Sequence, residues 1–320
     1  MSTASLTARE AAEKLLKLKS PVIIMHRRPD GDTVGSAIAL IKILKKLGIS
    51  AEYISDDPIS ERLLFLTRGE KRAESLLNKE LVAIDVASAS QLGALSEYAD
   101  KIIFTIDHHR VNSPFSDNFT DPDASSAAEA LYQVLDELIK MGKCTLDSEI
   151  AYPMYAAISS DTGGFLFSSA SAKTYRLAAL LIETGIDFAD INHRLFHSKS
   201  EEQLRAEGFI ASKIRTDMDG KIAYATLSAD ELSKIGLSHE HFETAIDIVR
   251  SVIFAEIAVF VRESRDGTIK ASIRSTGHNV AEIAAKFGGG GHIRAAGCTL
   301  PADSAESGAA LLISEIKNTL

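Results

Sequence analysis

The chain predicts an α/β protein with a parallel sheet in its N-terminal part, helices on both faces of that sheet, and a smaller α+β domain after it. Three observations carry the prediction. Apolar runs that read as buried strands end again and again in Asp or His, helical patterns fall between those runs, and past residue 216 the alternation gives way to a hairpin and short helices.

Residues 7 to 19 alternate apolar and charged positions as an amphipathic helix, with Thr7 as N-cap and Glu10 closing a capping box. Val22 to Met25 read as a buried strand. A loop follows with His26, Asp30, Asp32, Gly35 and Ser36, and apolar residues then recur at helical spacing through Ile38, Ile41, Leu44 and Leu47. Gly48 stops that helix and residues 51 to 55 form a second strand. Residues 56 to 79 are polar and are assigned short helices. LVAIDVAS at 81 to 88 is a buried strand with one charge, Asp85, at its carboxyl end, where a carboxylate is costly unless paired or metal-bound. KIIFTIDHHRVN at 101 to 112 repeats the arrangement, with Asp107, His108 and His109 at the strand tip. AAISSDTGGF is the third recurrence, with Asp161 ending an apolar segment, so the acidic and imidazole groups stand at the ends of successive strands.

Helical patterns at 126 to 140, 146 to 158, 171 to 183 and 188 to 196 complete the first domain, assigned to 1–195. Residues 196–215 are polar and helix-prone and read as a connector. The second domain, 216–320, holds KIAYATLS after an Asp219-Gly220 turn, two strands flanking Asp266-Gly267, a short helix at HNVAEIAAKF, the GGGGH run, a strand at AAGCTLP and a final helix near 304 to 318.

The 320 residues carry a net charge of −9 and 45% hydrophobic residues. A globular core is expected, and a broad basic surface for long duplex nucleic acid is not. No apolar run approaches a membrane span, and MSTASLTARE lacks a basic region followed by an apolar block, so the expectation is a cytoplasmic protein with no membrane contact. Cys144 and Cys298 lie far apart without CxxC spacing and read as structural thiols.

Taken singly, each Asp has a bland explanation as a cap or turn, and each His as a surface or core group. PDGDT also bears a superficial likeness to the DxDxT phosphotransfer loop of haloacid dehalogenases, but His26-Arg27-Arg28-Pro29 separates it from the strand. Taken together, His26, Asp30, Asp32, Asp85, His108 and Asp161, with His109 beside them, can supply two neighbouring cations if Asp85 bridges. Such a pair generates a hydroxide at neutral pH and neutralises phosphoryl oxygens. The chemistry expected is phosphoester or phosphoanhydride hydrolysis. Mixed nitrogen and oxygen donors favour Mn²⁺ over Mg²⁺, Co²⁺ or Zn²⁺.

HRRPDGDTVGS, VAIDVAS, IDHHRVN and SSDTGGF resemble the four motifs of the DHH phosphoesterase family, and GGGGHIRAAG resembles the signature of that family's associated C-terminal domain. The resemblance covers nearly the whole chain and implies two domains across a cleft. Length and domain content are most similar to the nanoRNase subfamily, which degrades short oligoribonucleotides to mononucleotides and dephosphorylates 3′-phosphoadenosine 5′-phosphate (pAp) to AMP. By resemblance, His26 and Asp30 hold one metal, Asp32, His108 and Asp161 the other, and Asp85 bridges. His109 faces the scissile phosphate as a hydrogen-bond or proton donor. Arg274, Ser275, Gly289, Gly290, Gly291 and His292 bind the nucleotide from the second domain, and Arg294 adds a phosphate contact. The resemblance also implies a homodimer.

Other readings remain at this point: a soluble cyclic-di-AMP or pApA phosphodiesterase, an inorganic pyrophosphatase, a RecJ-like single-strand exonuclease, or a nucleotide sensor. The sensor is disfavoured because no ligand position is missing, and the RecJ-like exonuclease because 320 residues leave little room for added nucleic-acid-binding domains.

Overall fold

Strands buried on both faces need no alternation, and the apolar runs of the N-terminal half obey that rule. The computed structural model describes residues 3–110 and 113–319, and the chain divides into two units, Met1–Ser198 and Lys199–Leu320. Val111 and Asn112, at the end of the IDHHRVN stretch, lie outside the described residues.

In the first unit the elements run α1 (Ala8–Leu15), β1 (Pro21–Ile24), α2 (Gly31–Lys46), β2 (Glu52–Ile54), β3 (Glu80–Ile84), β4 (Ile102–Asp107), β5 (Asp117–Thr120), α3 (Ala127–Lys140), α4 (Ser148–Asp161), α5 (Ala172–Glu183) and α6 (Phe188–Asn192). The five strands are all parallel in the order β2-β1-β3-β4-β5. Ile23, Met25, Val82, Ile84, Phe104 and Ile106 face one way, into a core shared with α1 to α5. Val22, Ile24, Leu81, Ala83 and Ile102 face the other, against Leu92, Leu95 and Tyr98 of the 3₁₀ turns at Ala89–Lys101. The Thr7–Glu10 capping box opens α1 as its sequence predicts.

Two stretches of the first unit outside the ligand-bearing segments differ from the sequence reading. Residues 56 to 79 hold only one short 3₁₀ turn, Glu61–Leu63. The polar edge strand β5 has no sequence signal, because its order comes from pairing with β4 through Phe104↔Asp117 to Asp107↔Thr120.

The second unit contains α7 (Glu201–Ser212), β6 (Arg215–Asp217), β7 (Ile222–Leu227), α8 (Ala229–Ile235), α9 (Ala245–Arg250), β8 (Ile257–Glu263), β9 (Ile269–Ser275), α10 (Val280–Ala285), β10 (Gly290–His292), β11 (Ala295–Leu300) and α11 (Ala305–Lys317). Its sheet order is β10-β11-β9-β8-β7-β6, antiparallel throughout except for β7 with β8. One face packs on α10 and α11, the other on α7 and α9. The sequence makes 196–215 a connector; in the structure Ala206 and Ile210 of α7 are buried in the second unit's core, so this helix is part of that unit. Cys144 and Cys298 are buried free thiols.

Candidate metal centre

A sheet of order 2-1-3-4-5 reverses direction between β1 and β3, and the crevice beyond the carboxyl ends of those strands is where such folds bind ligands. His26 follows β1, Asp85 follows β3 and His108 follows β4, so all three emerge at that edge. Asp30 caps α2 by accepting from Thr33 N at 3.0 Å, which starts the helix at Gly31 and puts Asp32 in its first turn instead of in the loop. Asp161 also departs from the strand-tip expectation. It is the last residue of α4, a helix whose buried, largely apolar sequence is indistinguishable from a strand run over a few residues.

Gly31 and Gly35 bring that helix end to the sheet edge. A Cβ on Gly31 would lie 2.2 Å from Ser160 Oγ, and one on Gly35 would lie 2.6 Å from the Pro153 carbonyl oxygen and 2.8 Å from Ala157 Cβ. The two glycines therefore let α2 and α4 meet backbone to backbone, which sets Asp161 beside Asp32.

The floor of the site is buried. Asp32 accepts from Ser36 Oγ at 2.9 Å and from the backbone N–H groups of Ala127, at 2.7 Å, and Ala128, at 3.3 Å, at the N-terminus of α3. Asp85 holds a left-handed backbone, φ 58°, and its Oδ2 accepts from Thr33 Oγ1 at 2.5 Å. Its Oδ1 has no hydrogen-bond partner among the described residues. The mouth is open: the Asp30 side chain is 60% exposed and that of Asp32 only 2%.

Each imidazole of the site has its Nδ1 engaged, and His26 and His108 turn Nε2 toward the centre. His26 Nδ1 donates to the Arg27 carbonyl at 2.8 Å, His108 Nδ1 to the Ala124 carbonyl at 3.3 Å, and His109 Nδ1 lies 2.7 Å from Asp107 Oδ1. Because a carbonyl only accepts, the first two tautomers are fixed, the usual preparation of a metal-binding histidine. His26 Nε2 is 3.7 Å from Asp85 Oδ2 and 4.0 Å from Asp30 Oδ1. His108 Nε2 is 3.6 Å from Asp32 Oδ2, 3.6 Å from Asp85 Oδ1 and 3.8 Å from Asp161 Oδ2. These separations are too long for hydrogen bonds and suit donors about 2.1 Å from a common cation.

The donors form overlapping sets that can hold an ion: His26, Asp30 and Asp85; Asp32, His108 and Asp161; and Asp85, His108 and His109. Asp85 belongs to two of them. Without a cation the carboxylates hold protons too tightly. Burial and then repulsion from Asp85, Asp161 and Asp30 push Asp32 well up, and burial and Asp30 raise Asp85 against the pull of His108. Burial raises Asp161 to about 6, opposed by His108 and reinforced by Asp85 and Asp30. Four converging carboxylates, two of them buried, an unpartnered buried oxygen and two pre-oriented Nε2 atoms fit divalent cations.

Sequence reasoning passes over Asp107. It is buried, and burial raises its carboxyl, but the bonds from His109 and the backbone N–H groups of His108 and His109 bring it below the usual range. Its hydrogen bond in turn lifts His109 to about 9, against burial. The signal was present, since Asp107 adjoins both histidines at the same strand tip, but its neighbours drew the chemistry. Thr33 is likewise visible only through its bond to Asp85.

In the second unit the register places His292 opposite Ala295, and Ala295 opposite Arg274, so three strands carry these residues in one row with a small side chain between the imidazole and the guanidinium. Arg274 Nη1 donates to the Ile273 carbonyl at 3.1 Å, and Ser275 Oγ donates to the His278 carbonyl at 2.5 Å. Arg294, in the turn between β10 and β11, and His292 are exposed. The glycines divide. A Cβ on Gly289 would be 2.2 Å from the Gly297 carbonyl and one on Gly291, φ 144°, would be 2.4 Å from the Ala295 carbonyl, so β11 itself requires both. Gly290 faces open space.

Comparison with known proteins gives the same two parts. Residues 21–158 match the model of the DHH family, N-terminal domain, and residues 219–318 that of the DHHA1 domain. A Thermus thermophilus protein named bifunctional oligoribonuclease and PAP phosphatase NrnA is 33% identical over 299 residues, spanning 91% of this chain and 88% of that one. A Bacillus subtilis protein of the same name is 27% identical, with 87% of this chain and 89% of the other covered. The crystal structure of an exopolyphosphatase-related protein from Bacteroides fragilis has the same fold, with a TM-score of 0.86 at 23% identity over 97% of this chain and 96% of that one. The identity and coverage of the Thermus relative, with the two domain matches in order, establish that this chain belongs to the DHH family.

Proposed function

We infer that the protein is a metal-dependent phosphoesterase that hydrolyses short oligoribonucleotides to mononucleotides and pAp to AMP. The observation that carries the reading is the crevice at the β1/β3 edge, where Asp85 lies within reach of both His26 and His108 with one oxygen unpartnered. The names of the relatives supply the substrate class.

In this reading His26 and Asp30 hold one cation, Asp32, His108 and Asp161 the other, and Asp85 both. When bound, two divalent cations, Mn²⁺ by the mixed donor set, supply an activated water and neutralise charge on the phosphoryl oxygens. The chain's own groups do the rest. Asp32 and Asp85 are fixed by the α3 N-terminus and Thr33, so the centre needs no rearrangement to receive substrate. Asp107 accepts from His109 Nδ1 and by that bond raises the imidazole, which favours a proton on His109 that can be given to the leaving oxygen. Arg274, Ser275, Gly290, His292 and Arg294 receive the nucleotide, while Gly289 and Gly291 keep the β10–β11 hairpin in place for it. A chain of net charge −9 is poorly matched to long polyanions, which favours substrates of a few nucleotides. The reading includes work in the cytoplasm and a homodimer, the latter tested by sedimentation.

One release assay with Mn²⁺ decides between substrates: pAp, RNA of two to four nucleotides, a long single strand, pApA and pyrophosphate. Fastest turnover is expected for pAp and the short RNAs. Preference for pyrophosphate, or equal turnover per molecule of the long strand, would replace this reading.

A further inference from the structure

Between His26 and Asp30 the chain turns through Arg27, Arg28 and Pro29. Arg28 has φ 53°, a left-handed backbone that costs an L-residue free energy and that glycine would adopt freely. Such strain persists where the surroundings enforce it, and here they do: Arg27 N donates to the Gln91 carbonyl at 2.7 Å, the Arg27 carbonyl accepts from His26 Nδ1, Pro29 is buried, and Asp30 caps α2. The loop is thus pinned on both sides of Arg28, and the residue at its strained point is a cation.

That cation is exposed and makes no hydrogen bond or ion pair among the described residues, in a chain of net charge −9. Its Cα lies two residues from both His26 and Asp30, so at most about 7 Å along the chain from either. An extended arginine side chain spans a comparable length. A planar fork of N–H donors on a residue within this chain distance of the carboxylates is matched in shape and charge to the oxygens of a phosphoryl group.

We propose that Arg28 is a phosphate-binding residue, donating from its guanidinium to the non-bridging oxygens of the phosphoryl group presented to the centre. The assignment rests on the reading of the crevice as a metal-dependent phosphoesterase site, but not on which nucleotide is cleaved. It gives the first unit its own anion contact, separate from Arg274 and His292, and gives the strained turn a function.

The test is calorimetric binding of inorganic phosphate to the full chain loaded with Mn²⁺. Arg28→Gln should weaken phosphate binding on the order of tenfold, the loss expected of one charge-assisted contact. Arg28→Lys should fall between Arg28→Gln and the wild type, because it keeps the charge and loses the fork. Arg28→Gly should lose as much affinity as Arg28→Gln while its Tm stays at or above that of the wild type, since glycine relieves the turn; that separates lost binding from lost fold. Unchanged phosphate affinity in Arg28→Gln, an equal loss in Arg27→Gln, or a parallel loss of Mn²⁺ affinity would each overturn the assignment. Turnover of pAp and short RNA by the wild type is a separate measurement, so failure there strikes the substrate reading and leaves this one standing.

Discussion

In the first unit five parallel strands send their ligand-bearing loops to one edge, and carboxylates at that edge are driven out of water: Asp32 and Asp85 are buried, and Asp161 is raised to about 6. In the second unit a mostly antiparallel sheet carries Arg274 and His292, with Ala295 between them, in one row across three neighbouring strands, and His292 and Arg294 are exposed. The difference separates two tasks. Desolvated like charges are unstable until something neutralises them, and that need is what a cation satisfies. Polar groups left in contact with water are stable as they stand, and the proposed role for these is recognition. On the proposed reading, chemistry belongs to the first unit and selection to the second.

The largest effect expected is loss of the centre's charge balance. Chelation with EDTA should reduce hydrolysis of every phosphoester by on the order of a thousandfold, with recovery on adding Mn²⁺, and Asp85→Asn should behave similarly while keeping its circular dichroism. Near-normal turnover in folded Asp85→Asn would remove Asp85 from the shared position.

A smaller and selective effect should come from the other unit. Arg274→Ala and His292→Ala should each lower kcat/KM for pAp and dinucleotides about tenfold relative to bis-p-nitrophenyl phosphate, the loss of one charge-assisted contact. Equal losses on nucleotide and generic substrate would mean that the second unit shapes the centre, and the division of tasks would fall.

The smallest effect is on stability. Asp161 titrates near 6 when folded and near its ordinary 3.8 when unfolded, so in metal-free protein its contribution is present below about 3.8 and is lost as pH rises through about 6. Metal-free Asp161→Asn should accordingly match the wild type at pH 4 and melt a few degrees higher at pH 7. With Mn²⁺ the order at pH 7 should reverse. A variant that melts lower at pH 7 without metal would show that Asp161 is stabilised by something other than a cation.

How much of this was legible beforehand follows from what each signal depends on. Buried parallel strands, helical spacing, the Thr7 cap and the run of Asp and His at apolar ends are local, so the sequence by itself determined the α/β architecture, most of the order of the elements and the residues that meet at the crevice. What needed the tertiary structure is set by contacts between distant segments. The edge strand β5 exists through its pairing with β4, and α7 belongs to the second unit because Ala206 and Ile210 are buried there. Asp161 arrives on a helix because Gly31 and Gly35 let α2 lie against α4. Asp107 holds His109 while Gly289 and Gly291 serve β11, and the bend at Arg28 is enforced by Gln91, some sixty residues away. A residue's type and spacing say which chemistry it can do, but which partner engages each of its atoms is decided only when the chain closes on itself.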